Sequence, residues 1–148
     1  MSSMPDSTHL SDSVADRVRR SFDAQSMMKT LGASLKHLAP GTCRITAPIL
    51  PGSRQQQGFA HAALTFALGD SASGYAALTL MPDDSEVVTT EMKINLLAPA
   101  QGDRLVAEGR VIKPGRRLLV TQATVWAEAG GERRQVAVLL GSMMPVPL

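Results

Sequence analysis

Residues 61–77, HAALTFALGDSASGYAA, are apolar on nearly every side, and no other part of the 148-residue chain limits the fold as strongly. The run is too long for one ordinary strand, so it reads as a helix. A helix apolar all round has to be covered all round. One carboxylate, Asp70, sits in its middle between Gly69 and Ser71. Burying a carboxylate is costly unless something pairs with it or uses it. Asp70 therefore has two readings. It caps a second helix if Gly69-Asp70-Ser71 breaks the run, or it is kept for chemistry. Gly69 and Gly74 each weaken a helix by roughly 1 kcal/mol relative to Ala. Glycines retained there point to close packing against another backbone.

The cover is read from the rest of the chain. Residues 87–97, VVTTEMKINLL, alternate as a half-buried strand does. Val88, Thr90, Met92, Ile94 and Leu96 share one face, and Thr89, Glu91, Lys93 and Asn95 the other. Residues 104–113 alternate again, Pro114-Gly115 turn, and 117–128 form a long strand. Gly130-Gly131 make a tight hairpin into a last strand over 133–144. Ahead of the apolar run, residues 11–32 read as one helix, with Val14, Val18, Phe22 and Met27 or Met28 at helical spacing. Ser11 or Ser13 would start it, Gly32 would end it, and Arg17, Arg19 and Arg20 would form a solvated face. Residues 33–50 read as two short strands about Pro40-Gly41, and 51–59 as a loop with Gln56 and Gln57 at the surface. Residues 1–10 read as a flexible tail before a single domain over 11–148. The fold class is α+β: a long central helix wrapped by an antiparallel sheet of five to six strands, with an N-terminal helix. One sheet covers only part of such a helix, so burial alone predicts a homo-oligomer.

Composition removes several classes of function. A formal net charge of +2 gives no bulk attraction for nucleic acid. A single cysteine, Cys43, allows neither an internal disulfide nor a two-cysteine metal knuckle, and inside a strand it should be inert. There is no H-x-E or C-x-x-C zinc pattern, no G-x-S-x-G elbow and no glycine-rich phosphate loop, so neither metal nor cofactor is expected. The polar start lacks an apolar signal region and no apolar run is long enough to span a bilayer, which leads to the expectation of a cytoplasmic protein without a membrane partner.

The spacing G-x-x-H-[AG]-[AG]-x6-D, here Gly58, His61, Ala62, Ala63 and Asp70, resembles the HGG segment of hotdog-fold thioesterases. It is closest to the phenylacetate-degradation (PaaI-like) branch. SEVVTTEMKINLLAPA looks like that branch's strand after the central helix, and KPGRRLLVTQATVW like its next hairpin. The resemblance covers roughly residues 20–144 and implies the hotdog fold in dimers, often tetramers. The implied activity is metal-free hydrolysis of an acyl-CoA thioester, CoA being part of the substrate. By position, the Ala62 backbone N–H would polarise the thioester carbonyl. Asp70 would be general base or nucleophile, with Gln55 and Thr89 assisting and His61 positioning. Phe59, Ala63 and Thr90 would meet the substrate. Lys113, Gly115, Arg116 and Arg117 form a turn whose basic side chains suit CoA phosphates. Two departures from the family stand out: Ala62-Ala63 replace two glycines, and Gln55 replaces an asparagine.

Spacing bears on this independently. Nine residues separate His61 from Asp70, which puts them on opposite sides of one helix with a rise of roughly 13 Å. Two such helices packed antiparallel about a two-fold axis would bring the start of one to the aspartate of the other. Free N–H groups at a helix start suit a developing oxyanion. The rival readings are a non-catalytic acyl-CoA-binding regulator, a hydratase or dehydratase of the same fold, and a purely structural oligomer.

Overall fold

The computed structural model describes residues 9–148. Most of the expected tail over 1–10 thus lies outside the described residues. The chain begins with two helices, α1 (Asp12–Ala24) and α2 (Ser26–Thr30), then a hairpin of β1 (Ser34–Ala39) and β2 (Thr42–Pro48). A single 3-10 turn, Pro51–Ser53, leads to the long helix α3 (Ala62–Leu78). Four strands follow: β3 (Ser85–Leu96), β4 (Arg104–Pro114), β5 (Leu119–Ala129) and β6 (Glu132–Pro147). They form one six-stranded antiparallel sheet in the order β1-β2-β4-β5-β6-β3. Gly130 and Gly131 both take positive φ, +57° and +82°, the twist that a two-residue hairpin turn requires.

The sheet curls about α3, which packs against β2, β3, β4, β5 and β6. Leu64, Leu68, Ala72 and Leu78 of the helix meet Ile45, Leu105, Leu119, Leu139 and Met143 of the strands in one core. The closest approach is at Gly109 on β4, where a Cβ would lie 2.4 Å from the Ala72 carbonyl and 2.5 Å from the Ser73 nitrogen. The backbone contact expected of Gly69 and Gly74 is therefore made by a different glycine. Gly69 faces the Leu139 side chain, and Gly74 has room for a methyl group.

The single helix expected over 11–32 is broken at Gln25, which is extended (φ −77°, ψ 99°). A continuous helix with Val18 and Phe22 facing inward would next present Gln25, Ser26 and Lys29 to the core. The break re-phases the chain, so Met28 is buried while Met27 stays 54% exposed. Ser11 caps α1 by accepting from the Val14 N–H. Arg17 is no solvated residue. Its guanidinium donates to the carbonyls of Leu78 (2.7 Å), Met81 (3.2 Å) and Pro82 just past α3, where a cation complements the helix dipole. This contact lays α1 over the C-terminal half of α3, and the Phe22 and Tyr75 rings meet edge-on with centroids 6.0 Å apart.

The N-terminal half of α3 has no such cover. Ala62, Ala63 and Phe66 are exposed, and Ala67, Asp70 and Ser71 continue the stripe half-buried. The expectation of a fully buried helix holds only for its second half.

The strict alternation read over 87–97 also fails, for a definable reason. β3 pairs Thr89 with Met143 and Glu91 with Ser142, leaving Thr90 as an extra residue in a bulge. The bulge reverses the phase. Val87 packs on the core before the bulge and Met92 and Ile94 after it, whereas Val88 is exposed. Leu96, in phase with Met92 and Ile94, is exposed at the cavity by the start of α3.

Candidate active site

The carboxylate at the centre of α3 has a partner. The helix runs unbroken through Asp70, so the capping reading is ruled out. Thr89 on β3 donates its hydroxyl to Asp70 Oδ1 at 2.7 Å. The bulge sets the Thr89 hydroxyl toward α3, although the residue stays exposed. Burial pushes the Asp70 carboxyl above its ordinary value, and the Thr89 hydrogen bond partly offsets this. Thr90, the extra residue, bonds the Ser142 carbonyl instead (3.1 Å) and does not join Asp70.

The start of α3 holds the second group. The loop before it is pinned by Ala60 N–H to Ala100 O and His61 N–H to Ser53 O, both 2.9 Å. His61 is the N-cap, and its Nδ1 accepts from the Ala63 N–H at 2.9 Å. That bond consumes the Ala63 donor. The Ala62 N–H has no partner among the described residues and lies on the exposed stripe. Gln55, Phe59 and Ala62 line one cavity of about 460 Å3, together with Leu96, Leu97 and Val136. The Gln55 amide is largely committed to its own loop: its oxygen accepts from the N–H groups of Gln57 and Phe59, and its nitrogen donates to Gln57 Oε1. Gln56 and Gln57 are exposed, as expected of loop surface.

The expected residues thus divide into two clusters. Gln55, Phe59, His61, Ala62 and Ala63 gather at the start of α3. Asp70 and Thr89 lie two turns along it, about 12 Å from Ala62 by helical rise. The basic turn with Lys113, Gly115, Arg116 and Arg117 lies with the opposite end of α3. Gly115 and Arg116 border a cavity of about 410 Å3 with Leu80, Met81 and Pro82.

Two groups escaped sequence reasoning. Arg54, Arg133 and Arg134 line a groove of about 540 Å3 that shares Phe59 and Gln57 with the cavity at the start of α3. Glu132 and Asp103 also border it. Arg133 lies 5.0 Å over the Trp126 ring. Nothing in the spacing of these arginines joins them, since they come from a loop and a hairpin 80 residues apart. The other is Gln25, which lines a cavity of about 290 Å3 with Tyr75, Asp70, Ser71, Gly74, Glu86, Val87 and Thr89. A glutamine in phase with Val18 and Phe22 was its one signal in the sequence.

Cys43 is buried, and burial with the nearby Glu108 charge pushes its thiol up to about 12, so no thiolate forms there near neutral pH. Among the described residues no three His, Cys, Asp or Glu side chains are grouped to hold a metal ion, and no helix is long and apolar enough to cross a membrane.

Comparison with known proteins agrees with this fold. A family model described as the thioesterase superfamily matches residues 57–133, just over half of the chain. A thioesterase family protein from Silicibacter pomeroyi is 41% identical, with a TM-score of 0.89 over 91% of this chain and 99% of that one. A candidate esterase of Halobacterium salinarum is 27% identical over 139 residues, 88% of this chain and 91% of the relative. The PaaI protein of the E. coli phenylacetic acid degradation operon shares the fold, with a TM-score of 0.82 over 93% of this chain and 96% of that one, at 20% identity. The six-stranded antiparallel sheet, the helix it encloses and the 41% identical relative lead to one assignment: the chain belongs to the thioesterase superfamily and has its hotdog fold.

Proposed function

We propose that this protein hydrolyses acyl-CoA thioesters at sites shared between two copies of the chain. One observation carries the reading. The free Ala62 N–H and the Asp70–Thr89 pair lie on the same uncovered stripe of α3 but too far apart to act on one carbonyl. A second copy laying its α3 antiparallel on that stripe brings the helix start of each to the aspartate of the other. β3 is an edge strand of twelve residues, an edge that proteins rarely leave open, so the second copy pairs along it.

In such a site the thioester oxygen takes the Ala62 N–H, and the helix dipole favours the negative charge that develops there. Asp70 of the facing chain, ionised, attacks the carbonyl carbon or takes a proton from the attacking water, and Thr89 holds the carboxylate in place. The thiolate of CoA leaves. Where Asp70 attacked, water then cleaves the acyl anhydride to free acid and carboxylate. Where water attacked, the proton that Asp70 took passes to the departing thiolate. Arg54, Arg133 and Arg134 stand beside the Phe59 loop and suit the phosphates of CoA better than the turn at 113–117, which is at the far end of α3 in the same chain.

The test uses two broken chains. Asp70→Asn removes the base and should lower kcat/KM by about a hundredfold or more on acyl-CoA substrates. Ala62→Pro removes only the N–H. Proline is tolerated at the first helical position, and the preceding His61 already has a compatible backbone (φ −61°, ψ 142°). It should cost about a hundredfold to a thousandfold. Mixing the two variants and exchanging subunits should restore about one quarter of wild-type activity, because half of the dimers are mixed and each has one intact site. Recovery that stays at zero places both groups in one chain and defeats the shared-site reading. Absence of thiol release from every acyl-CoA by the wild type would favour a non-catalytic receptor.

A further inference from the structure

The cavity beside Asp70 has a reacting end, formed by Asp70 and Thr89, and a second polar end, where Gln25 and Tyr75 line the wall with Glu86. The protons at the second end are ordered by one charge. Ser21 Oγ lies 3.1 and 3.0 Å from the two Glu86 oxygens and 3.2 Å from Tyr75 Oη. The ionised Glu86 only accepts, so the single Ser21 proton goes to it. Ser21 then accepts from the Tyr75 hydroxyl. Tyr75, its proton committed, accepts from Gln25 Nε2 at 2.6 Å. This row fixes which end of the Gln25 amide meets Tyr75. The nitrogen faces the ring hydroxyl, and Oε1 is left without a partner among the described residues.

We infer that Gln25 is a specificity-determining residue: its Oε1 accepts a hydrogen bond from a hydroxyl carried on the acyl group, away from the thioester. The inference rests on reading Asp70 as the reacting end. The Glu86 charge is already met by Ser21 and by the Val87 N–H at 3.0 Å, so a neutral donor fits better than a cation. An anionic acyl tail would meet two carboxylates, Asp70 and Glu86. At about 290 Å3 the cavity is at the small end for ligand sites and suits a compact acyl group. Tyr75 is 3% exposed and held from both sides, so it is the fixed support and Gln25 the reading group. Ser21 and Glu86 are positioning residues that act through Tyr75.

The test measures binding apart from hydrolysis. Non-hydrolysable thioether analogues of hexanoyl- and omega-hydroxyhexanoyl-CoA, and of phenylacetyl- and para-hydroxyphenylacetyl-CoA, are titrated calorimetrically into the wild type, Gln25→Leu and Ser21→Ala. Thermal melts verify that each variant is folded. The wild type should bind the hydroxylated member of at least one pair about fivefold tighter or more, the size of one hydrogen bond. Gln25→Leu should bring the members level. Ser21→Ala should give an intermediate ratio, because the Tyr75 proton is then released and the amide is free to turn. A merely structural role for Gln25 would weaken both members alike and keep the ratio. Parity in both pairs for the wild type, or a preference that survives Gln25→Leu, overturns the inference. Turnover of the corresponding thioesters is measured in parallel. A binding preference without turnover ends the hydrolase reading alone, and turnover with parity ends this inference alone.

Discussion

Asp70 is an ionisable group held where its charge is disfavoured. Its desolvation has two measurable consequences. The acidic limb of kcat/KM should lie above the usual carboxylate range, and Thr89→Val should move it higher still, because the hydroxyl that favours the ionised form is gone. A limb at an ordinary carboxylate value in both proteins would remove Asp70 from the role of base. The stability effect has a defined sign. A carboxyl whose folded pKa is raised binds protons more readily in the folded state, so ionisation costs stability in full above that pKa, and the cost falls away as pH drops from it to the ordinary carboxylate value of the unfolded chain. Asp70→Asn should therefore melt higher than the wild type at neutral pH, with the gap closing in acid, as thermal denaturation across pH will reveal. Asp70 was legible in the sequence because one carboxylate in an apolar run is conspicuous. Its partner Thr89 was legible only through the family resemblance, which gave it an assisting role. Thr89 falls on the polar face of any regularly alternating strand, and alternation alone does not turn it toward the helix. Gln25 was illegible for a related reason: a polar residue in the apolar phase of a helix reads as surface until Tyr75 is seen beside it.

At the scale of elements, irregularities position the site. The bulge at Thr90 turns Thr89 toward α3, and the break at Gln25 frees that side chain for the cavity while passing Met28 to the core. The bulge has no signal in periodicity, whereas the break has one, the polar Gln25, Ser26 and Lys29 falling in the phase of Val18 and Phe22. Turns and strands were legible because Pro40-Gly41, Pro114-Gly115 and Gly130-Gly131 fix them chemically. The arginines of α1 were read by the default for charged residues on a helix. Arg17 departs from it because α3 ends beside it with unpaired carbonyls. Arg17→Ala should destabilise the fold by about 2 kcal/mol in chemical denaturation, from the loss of charge-assisted bonds at a helix C-terminus. A change inside a few tenths of that would mean α1 is held by Val18 and Phe22 alone. Because α1 carries Ser21 and ends at Gln25, the same substitution should also loosen the wall opposite Asp70.

For the molecule as a whole, the sequence was read correctly in outline: one helix, one antiparallel sheet, and too little sheet to cover the helix. The structure narrows the uncovered part to the stripe from Ala62 to Ser71, with Phe66 37% exposed at its centre. The chain order of the two clusters was legible in Asp70 coming nine positions after His61. The arginine groove was not, because its residues meet only when the hairpin at 129–132 folds back beside the loop at 54–59. On the proposed reading the stripe is at once a subunit contact and half of a reaction site, which makes catalysis a matter of mass action. A lone folded chain would be inert, so specific activity should depend on enzyme concentration: constant when concentrated, and falling on dilution as dimers part, in step with the dissociation seen by light scattering. Specific activity that stays flat while the protein becomes monomeric would locate a complete site in one chain. A covalent link between two copies should abolish the dilution loss, and the cell's supply of working enzyme would then rise in proportion to chains made rather than faster than that.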